Sequence, residues 1–186
     1  VCDVTQGWSA SGGGIGSYIR RKQAWIADNS DARHLLVVPG EEDRIVENGR
    51  FLRAEVKSPT LPHSPNYRFL LRNGAVREVF ERFRPDLIET FDPYNLPWAA
   101  LKHRKRYPET TVIAGYHTDF PRAHIGEFFI HDFPLGGRAF SPTSARIADA
   151  YAGKLYRQFD NVFGLGTDSV ERLRSLGVDN VERMPL

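Results

Sequence analysis

Apolar and polar positions along this chain switch repeatedly between two periods. Val1 to Gln6 is a short apolar run and predicts a strand. From Gly16 to Asp28, Tyr18, Ile19, Lys22 and Ile26 recur at helical spacing, with Ile15 just ahead of them, and predict a helix. His34 to Val38 is continuously apolar and ends at Pro39-Gly40, as a strand buried on both faces should. Arg44 to Glu47 and Arg50 to Val56 flank Asn48-Gly49, a strong hairpin signal. Ser58 to Asn66 is rich in Pro and Ser and reads as a loop. Arg68 to Phe83 predicts an amphipathic helix, with Phe69, Leu70, Val76, Val79, Phe80 and Phe83 inward, ended by Arg84-Pro85.

The second half repeats the alternation. Asp86 to Thr90 predicts a strand, Leu96 to Arg106 a helix and Thr111 to Tyr116 a strand. An irregular stretch runs from His117 to about Phe140. Then come a helix over Pro142 to Gln158, a strand over Asn161 to Leu165, a helix over Asp168 to Leu176 and a strand over Val181 to Met184. Strands alternating with helices imply right-handed β–α–β units. The expected fold class is α/β: a doubly wound, mostly parallel sheet in a Rossmann-like three-layer sandwich, with an extra β-hairpin.

Composition narrows the field. The chain has 186 residues, 41% hydrophobic and 26% charged, the profile of a globular domain. A net charge of +2 gives no footprint for nucleic acid, so none is expected as a partner. No apolar run approaches the roughly 20 residues that span a bilayer. The single cysteine, Cys2, excludes an internal disulfide and fits a buried strand position. No targeting signal is visible, and a cytoplasmic setting is the default expectation. Both ends fall inside strand patterns, so we expect a piece of a longer protein, or the ordered part of one.

The chemistry-bearing stretch is Ser11 to Tyr18, Ser-Gly-Gly-Gly-Ile-Gly-Ser-Tyr, between the first strand and the first helix. Glycine-rich strand-to-helix turns offer backbone N–H groups and a positive helix end to phosphate. The bland alternative is a tight turn that lets strand and helix pack.

Several motifs, in order, resemble the retaining glycosyltransferases of family four. Gly13-Gly14-Ile15-Gly16-Ser17-Tyr18 resembles that family's Gly-Gly-x-Gly loop. Arg84-Pro85-Asp86-Leu87-Ile88, followed by Thr90-Phe91-Asp92-Pro93-Tyr94, looks like its fourth strand and loop. Tyr116-His117-Thr118 resembles its Tyr-His-Thr. Phe159 to Phe163, Ser169 to Gly177 and Val181 to Leu186 resemble the run that closes its N-terminal domain. Gly164-Leu165-Gly166-Thr167 departs from the family's apolar-Pro-Ser run.

The resemblance implies the N-terminal half of a GT-B fold over residues 1–186, on the acceptor side, with a C-terminal donor-nucleotide domain outside this chain. It implies retaining transfer of a hexose from a nucleoside diphosphate sugar to a hydroxyl of a glycan, glycolipid or small molecule. Gly13, Gly14, Ile15 and Gly16 would contact donor phosphate and sugar, and His117 would position the donor sugar. Trp8, Asp92, Tyr94, Asn95, Thr118 and Asp119 are acceptor-side candidates. For Asp92 the alternative is an Asx turn ahead of Pro93, and Asp119 either orients His117 or caps its loop.

No metal and no cofactor are expected. His117, Asp119, His124, His131 and Asp132 match no metal-ligand spacing, and no Asp-x-Asp triplet occurs. A nucleotide-dependent oxidoreductase, a GT-B-fold sugar-nucleotide epimerase and a non-catalytic nucleotide or glycan binding domain are the rival readings. Against nicotinamide binding, the third glycine of Gly-x-Gly-x-x-Gly would fall at Ile19. The basic run Lys102 to Arg106 reads as a helix C-terminus complementing its dipole. Its sharper reading, with Phe128, Phe129 and Phe133, is peripheral membrane contact at the inner face. Trp25 and Trp98 lie on helical stripes and are expected in the core.

Overall fold

A computed structural model describes residues 1–8, 13–61, 64–117 and 142–184. They form two compact units, Val1–Ile113 and Ala114–Leu186. The architecture is α/β, Rossmann-like, with a mostly parallel open sheet.

In the first unit, β1 (Cys2–Val4) leads to α1 (Gly14–Asn29) and β2 (His34–Gly40). A hairpin follows, β3 (Arg44–Asn48) and β4 (Phe51–Lys57), then a short pair, β5 (Thr60–Leu61) and β6 (Ser64–Arg68). The unit continues with α2 (Asn73–Phe83), β7 (Leu87–Thr90) and α3 (Leu96–Arg106). β8 (Thr111–Tyr116) begins here and ends in the second unit. The strand order is β8-β7-β1-β2-β4-β3, and only β3 against β4 is antiparallel among the β7, β1, β2, β4 and β3 pairings.

Strand alternation decides which side chains each helix meets. Asp3 is in register with Leu36 on β2 and Glu89 on β7. With His34, Val38 and Phe91 they make up one face. There α1 packs Ile19 against Leu36, Val38 and Phe91, with Trp8, Ile15 and Tyr18 at the margin. Cys2, Val4, Leu35, Val37 and Ile88 make up the opposite, buried face. Burial pushes the Cys2 thiol far up, so it is an inert, apolar-like group there.

The second unit holds the end of β8, then α4 (Pro142–Tyr156), β9 (Asn161–Gly164), α5 (Thr167–Ser175) and β10 (Val181–Arg183). Its strand order is β10-β9-β8, with β9 and β10 parallel. Tyr116 is buried edge-on to Tyr156, ring centres 5.4 Å apart.

Five local expectations change. β2 runs through Pro39 and Gly40, paired with Val56 and Lys57. Pro39 is tolerated because residues of its parity bond toward β1, whose pairing with β2 ends at Val37. The hairpin turn is Gly49-Arg50, because Asn48 pairs with Phe51. Gly49 alone has positive φ, 59°, as a first-position glycine turn requires. Ser58 to Asn66 is not wholly loop, since β5 and β6 form within it. The helix expected from Arg68 begins at Asn73: Arg68 still pairs with Thr60, and Phe69 N–H donates to Pro59 O at 2.9 Å. Trp25 is 62% exposed, so it is not a core residue. Trp98 is half-buried.

α2 ends at Arg84, the one described non-glycine residue with positive φ, 47°. Its guanidinium lies 3.6 Å above the Tyr107 ring centre, which offsets the strain. Phe80 is fully buried and stacks edge-on against His103, 5.5 Å away, tying α2 to α3. Phe80→Ala should therefore cost about 3–5 kcal/mol, read as a lowered denaturant midpoint at unchanged m-value.

Candidate functional site

At the carboxyl edge of the first unit's sheet, β1 hands over to the glycine turn. Gly13 has φ 107° and ψ 152°, a conformation that side-chain-bearing residues rarely adopt. A Cβ there would meet nothing within 4 Å, so conformation and not crowding calls for glycine. Ser17 N–H donates to Gly13 O at 3.0 Å and closes the first turn of α1. The helix has no side-chain cap and no acidic residue in its first turn. The N–H groups of Gly14, Ile15 and Gly16 thus lie in the first turn, where a helix offers no carbonyl partner. Gly13 and Gly14 are exposed. Ser11 and Gly12 lie outside the described residues.

The loop after β7 is pinned to the same edge. Asp92 Oδ2 accepts from the Gln6 backbone N–H at 2.7 Å. Gln6 Nε2 donates to Asn95 Oδ1 at 2.7 Å, and Gln6 Oε1 accepts from Leu70 N–H at 3.1 Å. Asn95 Nδ2 donates to Leu70 O at 2.8 Å and to Asn73 Oδ1 at 2.6 Å. Asn95 occupies the N-cap position of α3 yet does not cap it. Both ends of its amide instead join the exits of β1 and β7 to the start of α2. Gln6 and Asn73 are the members that sequence reasoning missed. Isolated polar residues at element ends were the only signal.

Burial pushes the Asp92 carboxyl up to about 6, against the lowering effect of the Gln6 N–H and the Thr5 hydroxyl. Burial, and then the Asp92 charge, push Tyr94 up to about 12. The Tyr94 ring stands edge-on to Phe69 at 6.2 Å. Trp8 is half-buried against the Ile19, Leu36, Val38 and Phe91 cluster. Trp8, the glycine turn, Asp92, Tyr94 and Asn95 are therefore all mounted on the exits of β1 and β7.

His117 is half-buried just past β8 in the second unit. Its ring folds over Gly115: a Cβ on Gly115 would collide with His117 Nε2 and stand 2.9 Å from Cδ2. Glycine at 115 is what permits this ring position. Thr118, Asp119, His124, His131 and Asp132 lie outside the described residues, as do Phe128, Phe129 and Phe133.

Beneath α1 lies a second polar assembly that the sequence did not reveal. Lys22 Nζ is 2.7 Å from Asp3 Oδ1 and 2.5 Å from Glu89 Oε2. Asp3 Oδ2 meets His34 Nε2 at 2.9 Å, and His34 Nδ1 meets Gln23 Nε2 at 3.1 Å. Asp3, His34 and Glu89 are buried. Burial opposes ionisation of Asp3, but the His34 hydrogen bond and the Lys22 charge hold its carboxyl below the usual range. Burial likewise opposes the Lys22 charge, and Asp3 and Glu89 outweigh it, so the amine stays protonated. Glu89 goes the other way. Burial raises it despite Lys22, and its Oε1 has no hydrogen-bond partner.

A sequence model of the glycosyl transferase 4-like domain matches residues 13–186. The chain belongs to this family. Its class of chemistry is therefore glycosyl transfer, and its fold is the α/β fold described above. A search of curated proteins finds no significant match. Among the described residues no helix is long and apolar enough to cross a membrane.

The raised Asp92 carboxyl is directly measurable. Its side-chain carbon resonance should titrate with a midpoint near 6, about two units above an exposed aspartate. Thr5→Val removes a hydrogen bond to the ionised form and should move that midpoint higher still.

Proposed function

We propose that this chain is the N-terminal, acceptor-side domain of a retaining GT-B glycosyltransferase. The whole enzyme moves a hexose from a nucleoside diphosphate sugar to an acceptor hydroxyl. A C-terminal domain outside this chain grips the nucleotide. The observation that carries the reading is the uncapped glycine turn: Gly13 at φ 107° opening a helix with no side-chain cap and no first-turn acid. The family match to residues 13–186 supports the same reading.

The chemistry follows from where charge develops. As the glycosidic carbon–oxygen bond to phosphate breaks, positive charge grows on the sugar and negative charge on the departing diphosphate. Donors fixed in advance stabilise the departing anion without reorganising at the moment of reaction. The N–H groups of Gly14, Ile15 and Gly16 and the positive end of α1 fill that role. His117 hydrogen-bonds and orients the donor sugar. The acceptor hydroxyl attacks the same face that the phosphate leaves, and the phosphate takes its proton, so no protein nucleophile and no metal are needed.

Trp8, Asp92, Tyr94 and Asn95 are the acceptor contacts of the first unit, and Thr118 and Asp119, which lie outside the described residues, are acceptor candidates on the family resemblance alone. Trp8 offers an aromatic face to a sugar ring, and Asp92 and Tyr94 offer polar atoms to its hydroxyls. Asn95 holds their loop through its bonds to Gln6, Leu70 and Asn73. The acceptor is a glycan, a small molecule or a lipid-linked sugar met at the inner membrane face. The setting is cytoplasmic.

His117→Ala in the full-length enzyme should lower transfer by about tenfold or more with an unchanged circular dichroism spectrum, as loss of one sugar-positioning hydrogen bond implies. Turnover equal to wild type would contradict the role. A panel of nucleotide sugars, with transfer and hydrolysis as readouts, tests the reaction class itself. Quenched or shifted nicotinamide fluorescence on titration would favour an oxidoreductase instead.

A further inference from the structure

We infer that Lys22 is a positioning residue, whose ammonium, clamped between Asp3 and Glu89, sets where the first turns of α1 stand above the sheet. The inference deepens the reading of the glycine turn as the donor-phosphate site and rests on it.

α1 is poorly fixed by its own ends. It has no side-chain cap at its start and no basic residue in its last turn. Its far end is tied by Arg50, whose guanidinium donates to Ala27 O at 2.8 Å and also to Ser30 O. Between that tie and the glycine turn, the buried stripe is Ile19 and Ile26. Branched aliphatic contacts resist separation from the sheet but only weakly resist sliding along it. An ion pair has direction. Lys22 stands eight residues after Gly14, about 12 Å along the helix.

The two carboxylates that hold Lys22 are themselves immobile. Asp3 and Glu89 are register partners on adjacent central strands, and both are buried. Asp3 is held from its other oxygen by His34, and His34 by Gln23, which belongs to α1 again. The helix thus grips the sheet at two consecutive residues, Lys22 and Gln23. The clamp also reaches toward the turn. Lys22 Nζ lies 4.7 Å from the Tyr18 ring centre and 5.6 Å from that of Phe91, while Tyr18 and Phe91 stack edge-on at 5.7 Å. Tyr18 Oη lies 3.5 Å from Glu89 Oε2. Tyr18 follows the amide of Ser17 that closes the first turn on Gly13.

The test compares Lys22→Met with Lys22→Arg in the full-length enzyme. In Lys22→Met the donor KM should rise about tenfold or more, while the acceptor KM stays within about twofold. Lys22→Arg keeps a cation between the carboxylates and should restore most of the donor affinity. Amide hydrogen exchange at residues 17–19 should quicken in Lys22→Met relative to the other helices of the first unit. A folded Lys22→Met enzyme with wild-type donor KM, or with both KM values raised alike, overturns the inference. Should Lys22→Met fail to fold, Lys22→Met with Glu89→Leu removes the cation together with one of its carboxylates and must show the same selective loss. A wild-type enzyme that transfers no sugar defeats the functional reading only. The exchange pattern then decides alone, and unaltered protection at residues 17–19 overturns the positioning role.

Discussion

Two carboxylates on neighbouring central strands, facing the same helix and shielded from water, set the terms for the first unit. Asp3 and Glu89 could not both stay ionised there without a cation. Lys22 supplies it from α1, and the proposed placement of that helix rests on this pair. Breaking such a pair from one side typically costs about 3–5 kcal/mol, because the abandoned charge has nowhere to go. An apolar packing of the same volume would be as stable or more so. What the charged version adds, in the inference above, is a preferred placement of α1. In the proposed function, the amides of the glycine turn take their position from that placement.

The loop after β7 follows the same logic with neutral groups. Gln6, Asn95 and Asn73 donate and accept among themselves and with Leu70, so three chain segments meet in one hydrogen-bonded knot. Asp92 sits beside it, where burial pushes its carboxyl up to about 6. That edge therefore combines a hydrogen-bonded frame with this raised carboxyl.

Much of this was legible in the sequence, and the misses have causes. Leu96–Arg106 and Thr111–Tyr116 were placed to the residue, because Pro97 near the helix start and a clean apolar run leave little choice. The start of α2 was missed because Phe69 and Leu70 continue its apolar rhythm. They serve instead the approach from β6, and Leu70 is buried without being helical. The turn at Gly49 slipped by one, since Asn48 suits either a turn or a paired strand end. Trp25 occupies a helical stripe that simply points outward. The Lys22 clamp escaped notice because each member has an ordinary explanation alone. Asp3, Glu89 and His34 are buried polar residues on strands, and Lys22 lies on the inward stripe of α1, but only the fold brings them together. The glycine turn stands out in the sequence because its residue type and its place between strand and helix agree. His117 is a candidate through its motif, whereas nothing in the sequence marks Gly115, which admits its ring.

β3 has a bearing on how this protein behaves in a crowded solution. As the last strand in its order it has one side of its backbone unpaired among the described residues, the kind of margin on which strangers can add. Four of its five residues are exposed, and Arg44 and Glu47 place opposite charges along a strand only five residues long. A neighbouring chain trying to extend the sheet would meet a short, charged edge, which disfavours such pairing. The hairpin thus serves as a selvedge, finishing the fabric so that it does not run.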